Sequence, residues 1–199
     1  MNERFDIITD NRFDIKSGIG SETKADFGGD LAADREIDLN EGADTTDRAK
    51  LDAVLDSFQE NKWNDLSLEG KKQSMTDLAV YVANDTGNKN PPEISFRDDM
   101  PDGSYGGYNP ETNTLEINVK MLDDNVEAAD TVAHEMWHAY QQQCALDPTS
   151  EMGRKYQEGF DNYISPEFDF EGYENQMVET EAREYAQGFK DKLNRLVSS

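Results

Sequence analysis

Positively charged residues are scarce in this sequence. The 199 residues include 19 lysines and arginines against 43 aspartates and glutamates, which gives a formal net charge of −24. Binding to nucleic acid and adhesion to an anionic membrane both depend on lysine and arginine contacts with phosphate groups. The composition therefore argues against both as partners. It favours cations and basic peptides, which an acidic surface attracts.

Cysteine and long hydrophobic runs are also almost absent. Cys144 is the only cysteine, so no disulfide can form within the chain, which is typical of a reducing compartment. No apolar stretch is long enough to cross a bilayer, and residues 1–10 lack the apolar core of a secretory signal peptide. We therefore expect a protein that is cytoplasmic or exported without a cleaved signal. The oligomeric state is not predicted.

Residues 1–46 lack the periodic hydrophobic pattern of the rest of the chain. We interpret them as an acidic, weakly structured tail or docking segment, and residues 47–199 as the folded domain. The tail contains one internal repeat, because the Arg-Phe-Asp-Ile of Arg4–Ile7 recurs as Arg12–Ile15. The repeat is either a coincidence or a pair of extended segments. Such segments would dock on a partner or on the domain itself, as a pro-segment does.

Hydrophobic spacing predicts an α+β fold with a small sheet for the domain. Apolar residues recur at helical spacing in four segments and alternate in two, whereas Asp98–Pro110 and residues 150–172 are predicted to be irregular. The expected helices lie near residues 47–58, 67–85, 124–145 and 173–197, and the expected strands at 93–97 and 114–119.

The longest predicted helix carries both histidines of the chain, His134 and His138. Residues four apart lie on one helix face, so both imidazoles point toward a common position, as two ligands of one zinc ion would. Glu135 lies beside that position and can take a proton from a zinc-activated water. Two randomly placed histidines would produce this His-Glu-x-x-His pattern on the order of once in a thousand chains. The alternative is a pair of ordinary surface histidines.

A catalytic zinc site needs a third protein ligand, and no histidine remains to supply it. Metzincins place a third histidine six residues after the second, following a glycine turn. The corresponding residues here are Cys144 and Gln141. A helix that continues straight through Gln141 keeps Cys144 near its C-terminal end and away from the metal. We therefore expect the third ligand to be a carboxylate from another element.

The last predicted helix offers two such carboxylates, Glu179 and Glu181. At about 100° per residue, Glu179 lies roughly 60° from the centre of the apolar stripe at Ala182, and Glu181 lies roughly 100° away on the other side. Ala182 and Ala186 are small, so this helix can approach the histidine helix closely. Glu179 is therefore the expected third ligand. Glu181, Asp161 and Asp169 are possible replacements for it.

Residues 47–199 resemble a gluzincin-type zinc metallopeptidase. Two motifs carry the resemblance: the His-Glu-x-x-His that begins at His134, and the Glu-x-x-Ala that begins at Glu179. The second motif is similar to the Glu-x-x-Ala of several small bacterial and phage-borne metallopeptidase domains. The segment His138–Gln141 is also similar to a run seen in toxin-like or effector zincins.

The resemblance implies a zincin-like fold, with zinc held by His134, His138 and Glu179 and with Glu135 as the general base. It also implies that the strand Thr114–Val119 forms the upper edge of the cleft and pairs with an extended substrate. The small sheet would then lie over the histidine helix, and a later helix would carry the third ligand.

The expected function is zinc-dependent hydrolysis of peptide bonds in a peptide or protein substrate, with basic segments favoured by the acidic surface. The alternatives are a non-catalytic zincin-like module that binds a protein partner, and a toxin or effector protease with an inhibitory or docking N-terminal segment. Tyr156, Tyr163 and Tyr173 are candidates to donate a hydrogen bond to the tetrahedral intermediate, although packing is the ordinary role of each. Trp137 is expected to pack on the core, and the acidic loop Asp98–Gly103 to be solvated rather than to bind calcium.

Overall fold

Helices dominate the part of the chain that the computed structural model describes, which is residues 8–9 and 45–197. The helices are α1 (Thr45–Leu55), α2 (Glu60–Asp65), α3 (Leu68–Thr86), α4 (Asn125–Ala145), α5 (Glu151–Asp161), α6 (Phe170–Asn175) and α7 (Met177–Val197). The strands are β1 (Ile8–Thr9), β2 (Glu93–Arg97), β3 (Gly106–Asn109) and β4 (Thr114–Asn118). The predicted α+β class is confirmed.

The four strands form one sheet in the order β1-β3-β4-β2. β4 pairs in parallel with β2 and antiparallel with β3, whose other edge pairs antiparallel with β1. The resemblance implied that Thr114–Val119 is an edge strand, which forms the upper edge of the cleft and pairs with an extended substrate. This expectation is wrong, because β4 has a hydrogen-bonded neighbour on each side. Its backbone groups are already paired, so they are not available to an added strand.

The strand β3 lies inside a segment that was predicted to be an irregular loop. Its sequence, Gly-Gly-Tyr-Asn, has no hydrophobic alternation, and its extended form depends on pairing with β4 and β1. Gly106 also lets β3 lie directly against α4. A Cβ added at Gly106 would come 2.7 Å from Cγ2 of Thr131 and 2.8 Å from the carbonyl oxygen of Glu116. The glycine that weakens the strand signal is therefore the residue that permits this close packing.

The helix α4 occupies the centre of the fold. Its residues from Ala128 to Gln141 are all buried, so no face of this stretch is left to solvent. It packs against α3, α5, α7 and β3. Asp124 caps its N-terminus by accepting hydrogen bonds from the backbone N–H groups of Val126 and Glu127, close to where the sequence predicts the helix to begin.

The segment 150–172 is more ordered than the sequence indicated. It contains α5, capped by Ser150, and the start of α6, capped by Asp169. Met152, Tyr156 and Phe160 follow helical spacing in α5, although their signal is interrupted by glycines and charged residues. The prediction of an irregular segment was wrong for these two helices. The last helix also begins later than predicted, at Met177.

Before α1, the structure describes only Ile8 and Thr9, which form β1. The repeated segments Arg4–Ile7 and Arg12–Ile15 lie outside the described residues, so the domain boundary at residue 46 stays a prediction. Among the described helices, none combines the length and hydrophobicity needed to span a bilayer.

Candidate metal centre

Three buried side chains from two helices converge on one position. His134 and His138 come from the middle of α4, and Glu179 comes from the first turn of α7. Nε2 of His134 lies 3.1 Å from Nε2 of His138 and 3.3 Å from Oε2 of Glu179. Nε2 of His138 lies 3.4 Å from Oε1 of Glu179. Among the described residues, these three form a group that can hold a metal ion.

Local helix geometry and small residues explain why the group assembles. The two histidines are one helical turn apart on the same face of α4. Ala182 and Ala186 on α7 are completely buried, and their small side chains let α7 lie close enough for Glu179 to reach the histidines. Glu179 is itself 0 % exposed. A carboxylate this deeply buried needs positive charge or hydrogen-bond donors around it.

The spacing of the three donor side chains is compatible with a tetrahedral metal site. Donors that lie about 2.0–2.1 Å from a tetrahedral zinc are about 3.3–3.4 Å from one another. The two imidazole nitrogens are 3.1 Å apart, and each lies 3.3–3.4 Å from a different oxygen of Glu179, so all three separations come close to that value. Two imidazole nitrogens and one carboxylate oxygen are also the donor types that suit zinc. The residues present therefore fit a zinc ion.

The electrostatics of the cluster favour a cation. Burial by itself lowers the pKa of His138, but the negative charge of Glu179, assisted by Glu135, raises this pKa to about 9. Burial would raise the pKa of Glu179, yet its attraction to His138 and its hydrogen bonds with His134 and His138 hold this pKa far below the usual range. The two carboxylates thus stabilise positive charge on the histidines, where a divalent ion would be attracted for the same reason.

Glu135, the predicted general base, is buried near the metal-binding group. Its side chain is 0 % exposed. Its negative charge contributes to the raised pKa of His138 and also to the raised pKa of Tyr163, which burial raises most. The carboxylate is therefore close to both the metal-binding group and this tyrosine.

Glu179, rather than Glu181, joins the histidines. Glu181 instead accepts hydrogen bonds from the Tyr156 hydroxyl over 2.7 Å and from Nε2 of Gln141 over 3.3 Å. Asp161 and Asp169 are not in the group either, because they are exposed at the end of α5 and at the N-cap of α6. Cys144 lies in the last turn of α4 and is not in the group, as expected.

Two aromatic residues contact the centre or its surroundings. The Tyr163 hydroxyl donates to Oε1 of Glu179 over 2.8 Å, so it holds a candidate ligand. Tyr173 is buried and packs edge-on against Tyr163, with ring centroids 6.2 Å apart. The Tyr163 hydroxyl is thus hydrogen-bonded to a member of the metal-binding group, whereas the Tyr156 hydroxyl donates to Glu181.

Trp137 and the acidic loop have the structural roles that were expected. The Trp137 ring stacks on Tyr185 with centroids 4.3 Å apart, which joins α4 to α7. In the loop, Asp98, Asp99 and Asp102 are exposed. Asp99 forms an ion pair with Arg97 at 2.8 Å.

No role was predicted for Gln141, which stands where metzincins have a glycine. Its side chain is buried and its Oε1 lies 2.8 Å from Nδ1 of His138. Its position three residues after His138 was the available signal, because residues at that spacing share a helix face.

Comparison of the chain with family models, with curated proteins and with solved structures gave no match. The resemblance to gluzincins therefore depends on the two sequence motifs. The functional argument depends on the geometry and charge of the metal centre.

Proposed function

We propose that this protein is a zinc-dependent peptidase, in which His134, His138 and Glu179 hold the metal and Glu135 is the general base. The observation that carries the proposal is the convergence of these three buried side chains, whose nitrogen and oxygen atoms lie 3.1–3.4 Å apart, with the Glu135 carboxylate close by. The α+β class of the fold and the central position of the histidine helix support the proposal.

The number of ligands supports a catalytic centre over a structural one. Structural zinc sites are closed by four protein ligands, whereas catalytic sites use three and leave a position open. The group found among the described residues has three members. A purely structural site would also have no use for Glu135, since burying an additional carboxylate costs free energy.

The chemistry follows from these roles. Zinc, when bound, lowers the pKa of a coordinated water and polarises the substrate carbonyl. Glu135 accepts a proton from the attacking water and delivers it to the leaving amine, which is general base and then general acid catalysis. Tyr163 keeps the Glu179 carboxylate oriented through its hydrogen bond. The net charge of −24 favours substrates with basic segments.

Removal of the metal is expected to destabilise the protein. A ligand at about a thousandfold excess over its dissociation constant stabilises the folded state by about 4 kcal/mol. For a protein of this size, that corresponds to about 8–16 °C in the midpoint of thermal unfolding. We expect a chelator to lower the midpoint by that amount and to abolish peptide hydrolysis, and added zinc to restore both.

The His138→Ala protein is the control for this experiment. Its unfolding midpoint should not depend on zinc, because one of three ligands is missing. Equal midpoints for the wild-type protein with and without zinc would contradict the proposed metal centre. A zinc-dependent midpoint without hydrolysis of any peptide in a broad library would favour the non-catalytic binding module.

The pairing of β1 with β3 favours a second candidate, a peptidase whose N-terminal segment regulates it. Ile8 and Thr9 lie antiparallel to Tyr108 and Gly107 on the outer edge of β3. The same strand packs at Gly106 against Thr131, one turn before His134 on α4. An extended chain on this edge would compete with any other extended peptide that adds to the sheet.

The replacement of both Ile8 and Thr9 by proline tests this candidate. Proline removes backbone N–H donors, and changing both residues covers whichever one is hydrogen-bonded in the antiparallel pair. One backbone hydrogen bond contributes about 1 kcal/mol, so initial rates on an unfolded protein substrate should rise by about fivefold. The Ile8→Val/Thr9→Ser protein keeps both donors and should match the wild type. Equal rates for the proline and control variants would argue against regulation by this segment.

A further inference from the structure

A continuous chain of buried and half-buried polar groups lies behind His138, on the side away from the metal-binding group. Nδ1 of His138 contacts Oε1 of Gln141 at 2.8 Å. Nε2 of Gln141 donates to the carbonyl oxygen of Val178 at 3.0 Å and to Oε2 of Glu181 at 3.3 Å. The Tyr156 hydroxyl donates to the same oxygen of Glu181 at 2.7 Å. Gln141 is 0 % exposed and Tyr156 only 2 %.

The partners of Gln141 determine which way its amide points. A carbonyl oxygen and a carboxylate both accept hydrogen bonds, so the NH2 group of Gln141 must face Val178 and Glu181. Its oxygen then faces His138, and an amide oxygen can only accept. Nδ1 of His138 therefore carries a hydrogen and donates it to Gln141. In a neutral imidazole this leaves the lone pair on Nε2, the nitrogen that faces His134 and Glu179.

This series of hydrogen-bonded groups connects three helices. His138 and Gln141 belong to α4, Val178 and Glu181 to α7, and Tyr156 to α5. Glu179 lies on α7 between Val178 and Glu181, so Gln141 links the helix of two candidate ligands to the helix of the third. Glutamine suits this place because a single side chain supplies one acceptor for the imidazole and two donors for α7.

We propose that Gln141, anchored by Val178, Glu181 and Tyr156, is a positioning residue that selects the metal-binding tautomer of His138 and orients its ring. This inference rests on the proposed metal centre, but it assigns a role outside the three ligands and the general base. Partners of this kind, which hold a ligand without touching the metal, typically change metal affinity by about 10- to 100-fold when they are removed.

The test is the affinity of the purified full-length protein for zinc alone, measured by competition with a chromophoric chelator. Gln141→Met keeps the length and most of the volume of the side chain but removes all three hydrogen bonds. We expect it to weaken zinc binding by about 10- to 100-fold. The matched control is Gln142→Met, which makes the same change one residue later, at a half-buried position outside the chain of hydrogen bonds. It should bind zinc as the wild type does.

A second readout reports geometry rather than affinity. Cobalt(II) bound in place of zinc absorbs visible light according to the number and arrangement of its ligands. We expect the spectrum of the Gln141→Met protein to differ from those of the wild type and the Gln142→Met protein. Circular dichroism of the metal-free proteins checks that each variant is folded. If Gln141→Met does not fold, the same measurements on Tyr156→Phe provide the test. This variant removes only the hydroxyl at the far end of the hydrogen-bonded series.

The outcomes separate the two proposals. Suppose that the wild type binds zinc, and that folded Gln141→Met has the same zinc affinity and cobalt spectrum as the wild type. This result would overturn the role of Gln141 and leave the metal centre intact. If Tyr156→Phe is the deciding variant, wild-type affinity and spectrum in that protein would overturn it equally. Failure of the wild type to bind zinc would instead overturn the proposed function, and with it this inference.

Discussion

Replacement of Glu135 by glutamine is expected to abolish peptide hydrolysis while zinc remains bound. The amide has the shape of the carboxylate, but it cannot accept the proton of the attacking water. General acid–base catalysis typically contributes about 10²- to 10⁴-fold to the rate, and we expect kcat to fall by that factor. Glu135 is not a member of the metal-binding group, so elemental analysis should still find about one zinc per chain.

A suitable control for this variant lies on the same helix. Glu127 is in the first turn of α4, where it forms an ion pair with Lys190 at 3.0 Å. Glu127→Gln makes the same chemical change away from the metal centre and should retain hydrolysis. Wild-type activity in zinc-loaded Glu135→Gln would assign the general base to another residue. A zinc-loaded wild type that cleaves nothing would favour the binding module.

The pair Glu179 and Glu181 provides the second large effect. Glu179→Gln replaces a charged ligand with a neutral amide oxygen, and we expect zinc affinity to fall by more than about a hundredfold, the upper range for residues that only support a ligand. Glu181→Gln changes a group that contacts Gln141 rather than the histidines. The Glu181→Gln protein should lose about tenfold or less in zinc affinity. Metal content and competition titrations on the two proteins, purified side by side without chelator, measure the difference.

The comparison decides between carboxylates that are two residues apart and on the same helix. Full zinc binding by Glu179→Gln together with loss in Glu181→Gln would transfer the third ligand to Glu181. Full binding by both variants would show that the ligand lies on another element. An equal loss of zinc affinity in both variants would contradict the assignment of Glu179 as a ligand and Glu181 as a residue that only supports the site.

Elements with local signals were predicted well. Helix α3 begins after its cap Ser67 and ends at Gly87, which adopts the left-handed conformation with φ of 69°. Helix α4 has the predicted bounds because Asp124 caps it and Pro148 follows it. These signals arise from neighbouring residues, so they are visible without knowledge of the rest of the fold.

Elements that depend on distant partners were missed. Helix α2 has only six residues, and its Trp63 is stabilised by stacking on Phe58 and by donating a hydrogen bond to the carbonyl oxygen of Leu122. The strand β3 depends on its two neighbours in the sheet. The prediction that Thr114–Val119 is an edge strand was wrong for a related reason. Strand order depends on pairings between segments that are distant in sequence.

The candidate metal centre also has features that the sequence predicts and features that depend on the tertiary structure. The sequence by itself determined that His134 and His138 share one helix face, since that follows from a spacing of four residues. It also favoured Glu179 over Glu181, because the direction of a side chain on a helix follows from its position relative to the apolar stripe.

Only the tertiary structure decided how the ligands are held. Gln141, Glu181 and Tyr156 come from three helices, and Tyr163 reaches Glu179 from the segment after α5. No local pattern marks such contacts, because a hydrogen bond between elements depends on how whole helices pack. The contacts between Glu179 and the histidines, which raise the pKa of His138 and lower that of Glu179, likewise exist only after α4 and α7 have come together.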